Sequence, residues 1–79
     1  MPHVTVSLWP GKSDEQKQRL SDAIVECVTK IVNYGEGSVS VDFDEVNPDH
    51  WMDQIYEPKI AGRWATLTKK PGYGPGQKG

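Results

Sequence analysis

The chain has 79 residues, a formal net charge of −2, 35% hydrophobic residues and a mean hydropathy of −0.64. This length allows a single domain, expected over residues 1–79, which buries only about 60% of the surface that the unfolded chain exposes. The single cysteine, Cys27, excludes an intrachain disulfide framework and a cysteine-based zinc cluster. Because domains this small are usually stabilised by disulfides, a metal or a partner subunit, self-association is the first expectation.

The composition also limits the partners. The sequence pI is near 5.5 and there is no basic block, which argues against binding to nucleic acid. The N terminus lacks the basic and apolar regions of a secretory signal, and no apolar run approaches the ~20 residues of a membrane helix. We therefore expect a cytoplasmic protein that binds neither nucleic acid nor membranes.

The chain begins with the pattern of a strand followed by a helix. Residues 2–8 alternate apolar and polar side chains, which predicts a half-buried strand that ends at Trp9-Pro10-Gly11. Ser13, followed three residues later by Gln16, is typical of a capping box at the start of a helix. This helix is expected to stop at 33–37, and its apolar stripe consists of Leu20, Ile24, Cys27, Val28 and Ile31.

A second strand with the same alternation follows the helix. Val39, Val41 and Phe43 alternate with polar residues, and Val46 breaks the alternation, so this strand is expected to end near Asp44–Glu45. A helix between two strands implies a parallel pair with a right-handed crossover. The predicted class is α/β. Because two strands and one helix leave much of a sheet uncovered, we expect the parallel strand pair to be assembled into a larger sheet by oligomerisation.

A second helix is predicted in the C-terminal third of the chain. Its apolar positions are Ile60, Ala61, Trp64 and Leu67, and Pro58 is expected in its first turn, where a missing N–H costs little. Residues 71–79 are a tail rich in glycine and proline, expected to be either mobile or ordered by a neighbouring subunit. The predicted architecture is a β–α–β unit with a C-terminal helix.

Pro2 is the residue with the most unusual chemistry. Removal of Met1 would leave a secondary amine at the start of the chain, which can accept a proton, as no internal proline can. An α-amino group has a pKa of roughly 7.7–8, and burial or a nearby cation would lower the pKa of Pro2 and leave it poised as a general base. A Met-Pro start by itself indicates little, because most such termini are inert.

The neighbouring motifs make Pro2 more informative. Pro2 before a strand, the helix-opening block Gly11-Lys12-Ser13-Asp14-Glu15-Gln16-Lys17 and the strand-opening Ser38-Val39-Ser40-Val41 resemble the 4-oxalocrotonate tautomerase family over residues 2 to about 51. The rest of the chain, with Trp51, Ile60 and Lys69-Lys70-Pro71-Gly72-Tyr73, resembles a longer bacterial subgroup. The resemblance implies cofactor-free keto–enol tautomerisation of a small-molecule 2-oxo acid or enol substrate, in which the N-terminal proline shuttles a proton between carbon and oxygen. It also implies a homodimer, whereas shorter members form hexamers.

The resemblance assigns roles to four further residues. Lys12 stands where the family commonly has an arginine that holds a substrate carboxylate, Ser40 where a second arginine polarises the carbonyl oxygen, and Trp51 where a phenylalanine forms an apolar wall. Lysine keeps the charge without the bidentate fork, and serine supplies one hydrogen bond without charge. This favours a monocarboxylate such as phenylpyruvate over a diacid. Arg63 is the first candidate for a replacement cation, against the alternative of a solvated helix residue.

Two other functions remain open at this point. Relatives with this fold use a protonated proline as an acid in dehalogenation, hydration or decarboxylation, and a pH–rate profile distinguishes acid from base. The chain could also be a non-catalytic oligomeric binding module. His3 is expected to be a surface residue, because adjacent strand residues face opposite ways, and Asp42 and Asp44 are expected to be solvated.

Overall fold

The computed structural model describes residues 1–75. The chain divides into two compact units, Met1–Glu45 and Val46–Gly79, and a single domain over residues 1–79 stays a prediction. Across residues 1–75, no helix combines the length and apolar character that crossing a membrane requires.

The first unit is the predicted β–α–β arrangement. Strand β1 (His3–Leu8) is followed by helix α1 (Asp14–Ile31) and strand β2 (Ser40–Glu45). The two strands pair in parallel, with His3 opposite Ser40 and Leu8 opposite Glu45. Strand β2 ends at Glu45, where the break in alternation at Val46 predicts its end.

The two ends of α1 follow from local sequence. Ser13 caps the helix: its Oγ accepts a hydrogen bond from the amide of Gln16 at 3.1 Å, and the Gln16 side chain accepts one from the Ser13 amide at 3.0 Å. This reciprocal pair is the predicted capping box, which satisfies two otherwise unpaired amides. The helix ends at Ile31, and Asn33 at φ 62° takes the left-handed conformation that asparagine tolerates after a helix.

The apolar stripe of α1 is only partly covered. Ile24, Val25 and Val28 are half-buried, as are Val41 and Phe43 of β2. Cys27, which belongs to the predicted stripe, is exposed in the single chain, as are Leu20 and Ile31, the latter at 75%. The covered line runs through residues 17, 21, 24 and 28, so residues 20, 27 and 31 lie on the adjoining side of the helix. No residue in 1–45 is fully buried.

An ion pair joins the start of α1 to the end of β2. Lys17 Nζ donates a hydrogen bond to Glu45 Oε2 at 2.8 Å. This hydrogen bond, with the added attraction of the Glu45 carboxylate, raises the pKa of Lys17.

The second unit contains the C-terminal helical segment, which starts earlier than predicted. A short turn at Pro48–His50 leads into a π-helix at Met52–Ile60, and 3-10 turns follow at Ala61–Thr66. Pro58 therefore lies inside the helical segment and not in its first turn. Proline lacks an N–H and its ring clashes with the carbonyl four residues earlier in an α-helix, and Pro58 lies here in a π-helix instead.

The second unit also holds the buried side chains of the described chain: Val46, Ile55 and Tyr56, the last with no exposed surface. Tyr73 packs against Tyr56 with ring centroids 5.6 Å apart, and Gly74 lies against the Tyr56 ring. Tyr73 and Gly74 at the start of the tail thus contact their own chain, and the two alternatives for the tail stay predictions. Residues 76–79 lie outside the described residues.

Candidate active site

Pro2 and Ser40 lie together at the beginning of the strand pair. The Ser40 amide donates a hydrogen bond to the Pro2 carbonyl oxygen at 3.2 Å, which continues the ladder one residue before β1. Pro2 is half-buried, whereas Met1 is 92% exposed and forms an accessible end of the chain. The structure therefore fixes Pro2 to the neighbouring strand and leaves the residue before it open to solvent.

His3 contacts Ser40 and is the residue that sequence reasoning missed. His3 Nδ1 lies 2.6 Å from Ser40 Oγ, and His3 Nε2 lies 3.3 Å from Thr5 Oγ1. His3 is exposed, as predicted, but it is not an isolated surface residue. The signal that could have found it is the register: if Pro2 and Val39 precede paired parallel strands, His3 and Ser40 are neighbours.

Lys12 lies at the other end of the first unit. It belongs to the loop between β1 and α1, beside a cleft of about 230 Å³ whose walls also include Leu8, Leu20 and Phe43. Strand β1 ends at Leu8, six residues after Pro2, and a strand rises ~3.3 Å per residue, so Pro2 and the end of β1 are roughly 20 Å apart. Within one chain, the structure does not bring Lys12 to Pro2.

Trp51 lies in the second unit at the start of the helical segment. Its indole Nε1–H donates a hydrogen bond to the Tyr73 hydroxyl at 2.8 Å. Trp51 is half-buried. The indole N–H of Trp51 is thus already engaged by Tyr73.

Arg63 lies in the 3-10 turns at Ala61–Thr66 and is exposed. Its backbone has φ −126° and ψ 25°, which interrupts the helical geometry, and its carbonyl accepts a hydrogen bond from Thr66 Oγ1 at 3.0 Å. Its guanidinium forms no ion pair within residues 1–75. An exposed guanidinium of this kind has its five N–H donors available for a carboxylate.

Comparisons with known proteins agree with this architecture. A family model described as tautomerase enzyme matches residues 2–54. The chain is 39% identical over 74 residues to Tautomerase PptA from Cronobacter sakazakii, covering 92% of this chain and 97% of that protein. The chain belongs to the tautomerase family. The sequence resemblance to 4-oxalocrotonate tautomerases is therefore confirmed, and the protein is an isomerase rather than a non-catalytic binding module.

Solved structures show that this tautomerase has the family fold. The crystal structure of YwhB, a homologue of 4-oxalocrotonate tautomerase, matches with a TM-score of 0.60 and 35% identity over 62% of this chain and 80% of that one. A 4-oxalocrotonate tautomerase isozyme from Methylibium petroleiphilum matches with a TM-score of 0.62 over 84% of this chain and 100% of that one. At 24% identity, the second likeness concerns the fold alone.

Proposed function

We propose that this tautomerase interconverts the enol and keto forms of a 2-oxo monocarboxylic acid such as phenylpyruvate without a cofactor, using Pro2 as the general base. The observation that carries the proposal is the placement of Pro2. It is half-buried and tied through its carbonyl to the Ser40 amide, while the preceding Met1 is 92% exposed. Removal of Met1 would convert an anchored ring nitrogen into a basic secondary amine.

The proposed reaction is a proton transfer with no net change in the enzyme. The Pro2 nitrogen accepts the proton of the enol hydroxyl, and the O–H bonding pair forms the carbonyl bond. The carbon–carbon π pair then takes the proton from the Pro2 ammonium at the α-carbon, which returns the amine to its neutral form. Negative charge develops on the substrate oxygen during this transfer, and the Ser40 hydroxyl is the proposed hydrogen-bond donor to it.

The substrate class follows from the proposed binding residues. Lys12 attracts the carboxylate as a point charge, Trp51 offers an apolar surface because its N–H is held by Tyr73, and Arg63 supplies a second cation. The monocarboxylate is proposed because Lys12 lacks the bidentate fork of an arginine and Ser40 carries no charge, while Trp51 suits an apolar group on the substrate. Action in the cytoplasm remains part of the proposal, as predicted from the sequence.

We further propose that the working form is a homodimer in which Lys12 of one copy serves Pro2 of the other. The separation of roughly 20 Å between Pro2 and the far end of β1 keeps Pro2 and Lys12 apart in one chain. An antiparallel arrangement of two copies would bring the start of one strand beside the end of the other. The exposed apolar side chains of the first unit, among them Trp9, Leu20 and Ile31, support burial against a second copy.

The test of Pro2 uses matched extensions of the chain. We expect intact mass spectrometry to show loss of Met1, and Pro2→Ala to lower kcat/KM for phenylpyruvate enol by roughly 100-fold or more. In a second variant, an extra residue that is not removed precedes Pro2 and turns the Pro2 nitrogen into an amide. This variant should lower kcat/KM at least as much as Pro2→Ala. The matched control carries the same residue after Gly79 and should keep wild-type activity. Undiminished turnover by the N-terminally extended protein contradicts the proposal.

The acid alternative is separated by the pH profile. A base requires kcat/KM to rise with pH through the pKa of Pro2, whereas an acid requires it to fall through that pKa. We expect an ascending limb that Pro2→Ala shifts or removes.

A further inference from the structure

One face of the strand pair carries only polar side chains, and the reaction as described so far uses only Ser40 among them. Side chains alternate between the two faces along each strand, and the register places polar residues opposite polar ones and apolar residues opposite apolar ones. The residues on this face are His3, Thr5, Ser7, Ser40, Asp42 and Asp44. Val4, Val6, Val41 and Phe43 lie on the opposite face, and Val41 and Phe43 line clefts together with residues of α1.

Ser40 connects Pro2 to the imidazole of His3 by two contacts, and a third contact joins that imidazole to Thr5. The Ser40 amide binds the Pro2 carbonyl at 3.2 Å, and the Ser40 hydroxyl lies 2.6 Å from His3 Nδ1. The other ring nitrogen of His3 lies 3.3 Å from Thr5 Oγ1. Both ring nitrogens thus have hydroxyl partners, which hold the ring in one orientation beside the strand end that carries Pro2.

The hydroxyl hydrogen of Ser40 can point in two directions, and His3 decides between them. If Nδ1 is unprotonated, it accepts a hydrogen bond from the Ser40 O–H. The Ser40 oxygen then has only lone pairs left and cannot donate to a substrate oxygen. If Nδ1 carries a proton, it donates to Ser40 Oγ and leaves the Ser40 O–H free to donate elsewhere. A protonated imidazole allows only the second arrangement, with Nε2–H donating to Thr5 Oγ1. A hydroxyl that accepts a hydrogen bond from a cation is also a stronger donor.

We infer that His3 is a positioning residue that turns the Ser40 hydroxyl into a hydrogen-bond donor to the substrate oxygen. In its protonated form it also transmits positive charge to the oxygen on which negative charge develops. This inference rests on the proposed function of Pro2 and deepens it, because Ser40 alone has no charge to offer. The imidazole itself exchanges no proton with the substrate.

The charged groups around His3 are few within the first unit. On its own strand, β1, no other charged side chain shares the face. From β2, Asp42 and Asp44 share it, opposite Thr5 and Ser7 and toward the other end of the strand pair. The start of the chain contributes the Pro2 amine once Met1 is removed. Helix α1 covers the opposite face, so its charged residues do not face the imidazole.

The inference predicts a particular pH profile. Activity should rise as the Pro2 amine loses its proton and fall again where loss of the imidazole charge weakens the Ser40 hydroxyl as a donor. Replacing His3 by a side chain that cannot titrate should remove the alkaline decline and keep the ascending limb.

The experiment is a double-mutant cycle with pH profiles, run on the full chain after removal of Met1. We expect His3→Gln to lower kcat/KM by roughly 10- to 100-fold at the optimum pH and to abolish the alkaline decline. Ser40→Ala should also abolish the decline, and His3→Gln should have no further effect in that background. Thr5→Val is the matched control: it removes the Nε2 partner only and should keep the decline.

The outcomes separate this inference from the proposed function. An alkaline decline that persists in His3→Gln or Ser40→Ala overturns the role of His3, as does an undiminished effect of His3→Gln in the Ser40→Ala background. If His3→Gln does not fold, the profile of Ser40→Ala alone tests the same role, because a persistent decline there overturns it. Full activity of the N-terminally extended chain would instead overturn the proposed role of Pro2.

Discussion

Gly74 lies against the side chain with the least exposed surface in the second unit. It has φ +87°, a conformation that side chains with a Cβ rarely adopt, and a Cβ at this position would overlap the ring of Tyr56. Tyr56 is fully buried. The preceding residue, Tyr73, accepts a hydrogen bond from the indole N–H of Trp51. Gly74 therefore stabilises the segment that orients Trp51, a proposed substrate-binding residue.

We therefore expect Gly74→Ala to lower the free energy of unfolding by roughly 1–3 kcal/mol, because it combines backbone strain with overpacking. Urea denaturation followed by circular dichroism measures this change. Gly72→Ala is the matched control, because nothing lies within 4 Å of its added Cβ and its φ is ordinary. Equal unfolding midpoints for the two variants would contradict this account of Gly74.

The candidate site can be predicted from sequence residue by residue, but not as an assembly. The alternating pattern places both Pro2 and Ser40 at the starts of strands, and the structure has them there. The bond from Ser40 to His3 requires the register, which alternation alone does not fix. The same limitation applies to Trp51: nothing local to it indicates that Tyr73, 22 residues later, accepts its N–H.

At the scale of elements, the first unit is predictable because its signals are local. The capping box, Asn33 and the period-two strands each act within a few residues, and each appears in the structure as expected. The second unit is less predictable. Because proline in an α-helix is favoured only in the first turn, the sequence predicts that the helix starts near Pro58, whereas the helical segment starts earlier. In the structure Pro58 lies inside a π-helix in which Ile55 and Tyr56 are buried.

The contact between Lys17 and Glu45 gives a prediction for the pairing of α1 with β2. The pKa of Lys17 is raised, so its contribution to stability is fully present below the usual lysine value of about 10.4 and is lost as pH rises through the higher folded-state pKa. We expect Lys17→Met to lower Tm at neutral pH, with a difference from wild type that shrinks above about pH 10.4.

The control for this prediction is Lys30→Met. Lys30 pairs with Glu26 at 3.8 Å within the same helix, and both side chains are at least two-thirds exposed, so its loss should change Tm little. Thermal unfolding at about pH 7, 9 and 11 compares the two variants on either side of the usual lysine pKa. An effect of Lys17→Met that stayed constant over this range would argue against an ionic origin.

At the scale of the whole molecule, the proposed function needs more than one chain. The first unit has no fully buried residue, and Pro2 and Lys12 are at opposite ends of β1. Oligomerisation of the strand pair, predicted from the sparse apolar content, would bury apolar side chains of the first unit. It would also bring Lys12 of one copy to Pro2 of another. The sequence could not predict which copy supplies Lys12, because that depends on the direction in which two sheets pair.

Subunit complementation tests this arrangement. Pro2→Ala and Lys12→Ala are each expected to lower kcat/KM by at least ~10-fold, since each removes a charged or basic group at the substrate. After the two variants are unfolded and refolded together in equal amounts, shared sites should restore about one quarter of the wild-type activity in a twofold-symmetric dimer. Mixing without unfolding is the control. Activity that stays at the level of the separate variants would mean that Pro2 and Lys12 do not come from different copies.

The most direct test of the central claim is a 15N NMR titration of the Pro2 nitrogen in the protein that has lost Met1. The account predicts an amine whose pKa lies below the ordinary α-amino range of roughly 7.7–8 and coincides with the ascending limb of kcat/KM. A Pro2 nitrogen that remains acylated in the active protein, or that titrates without any corresponding change in activity, would contradict it.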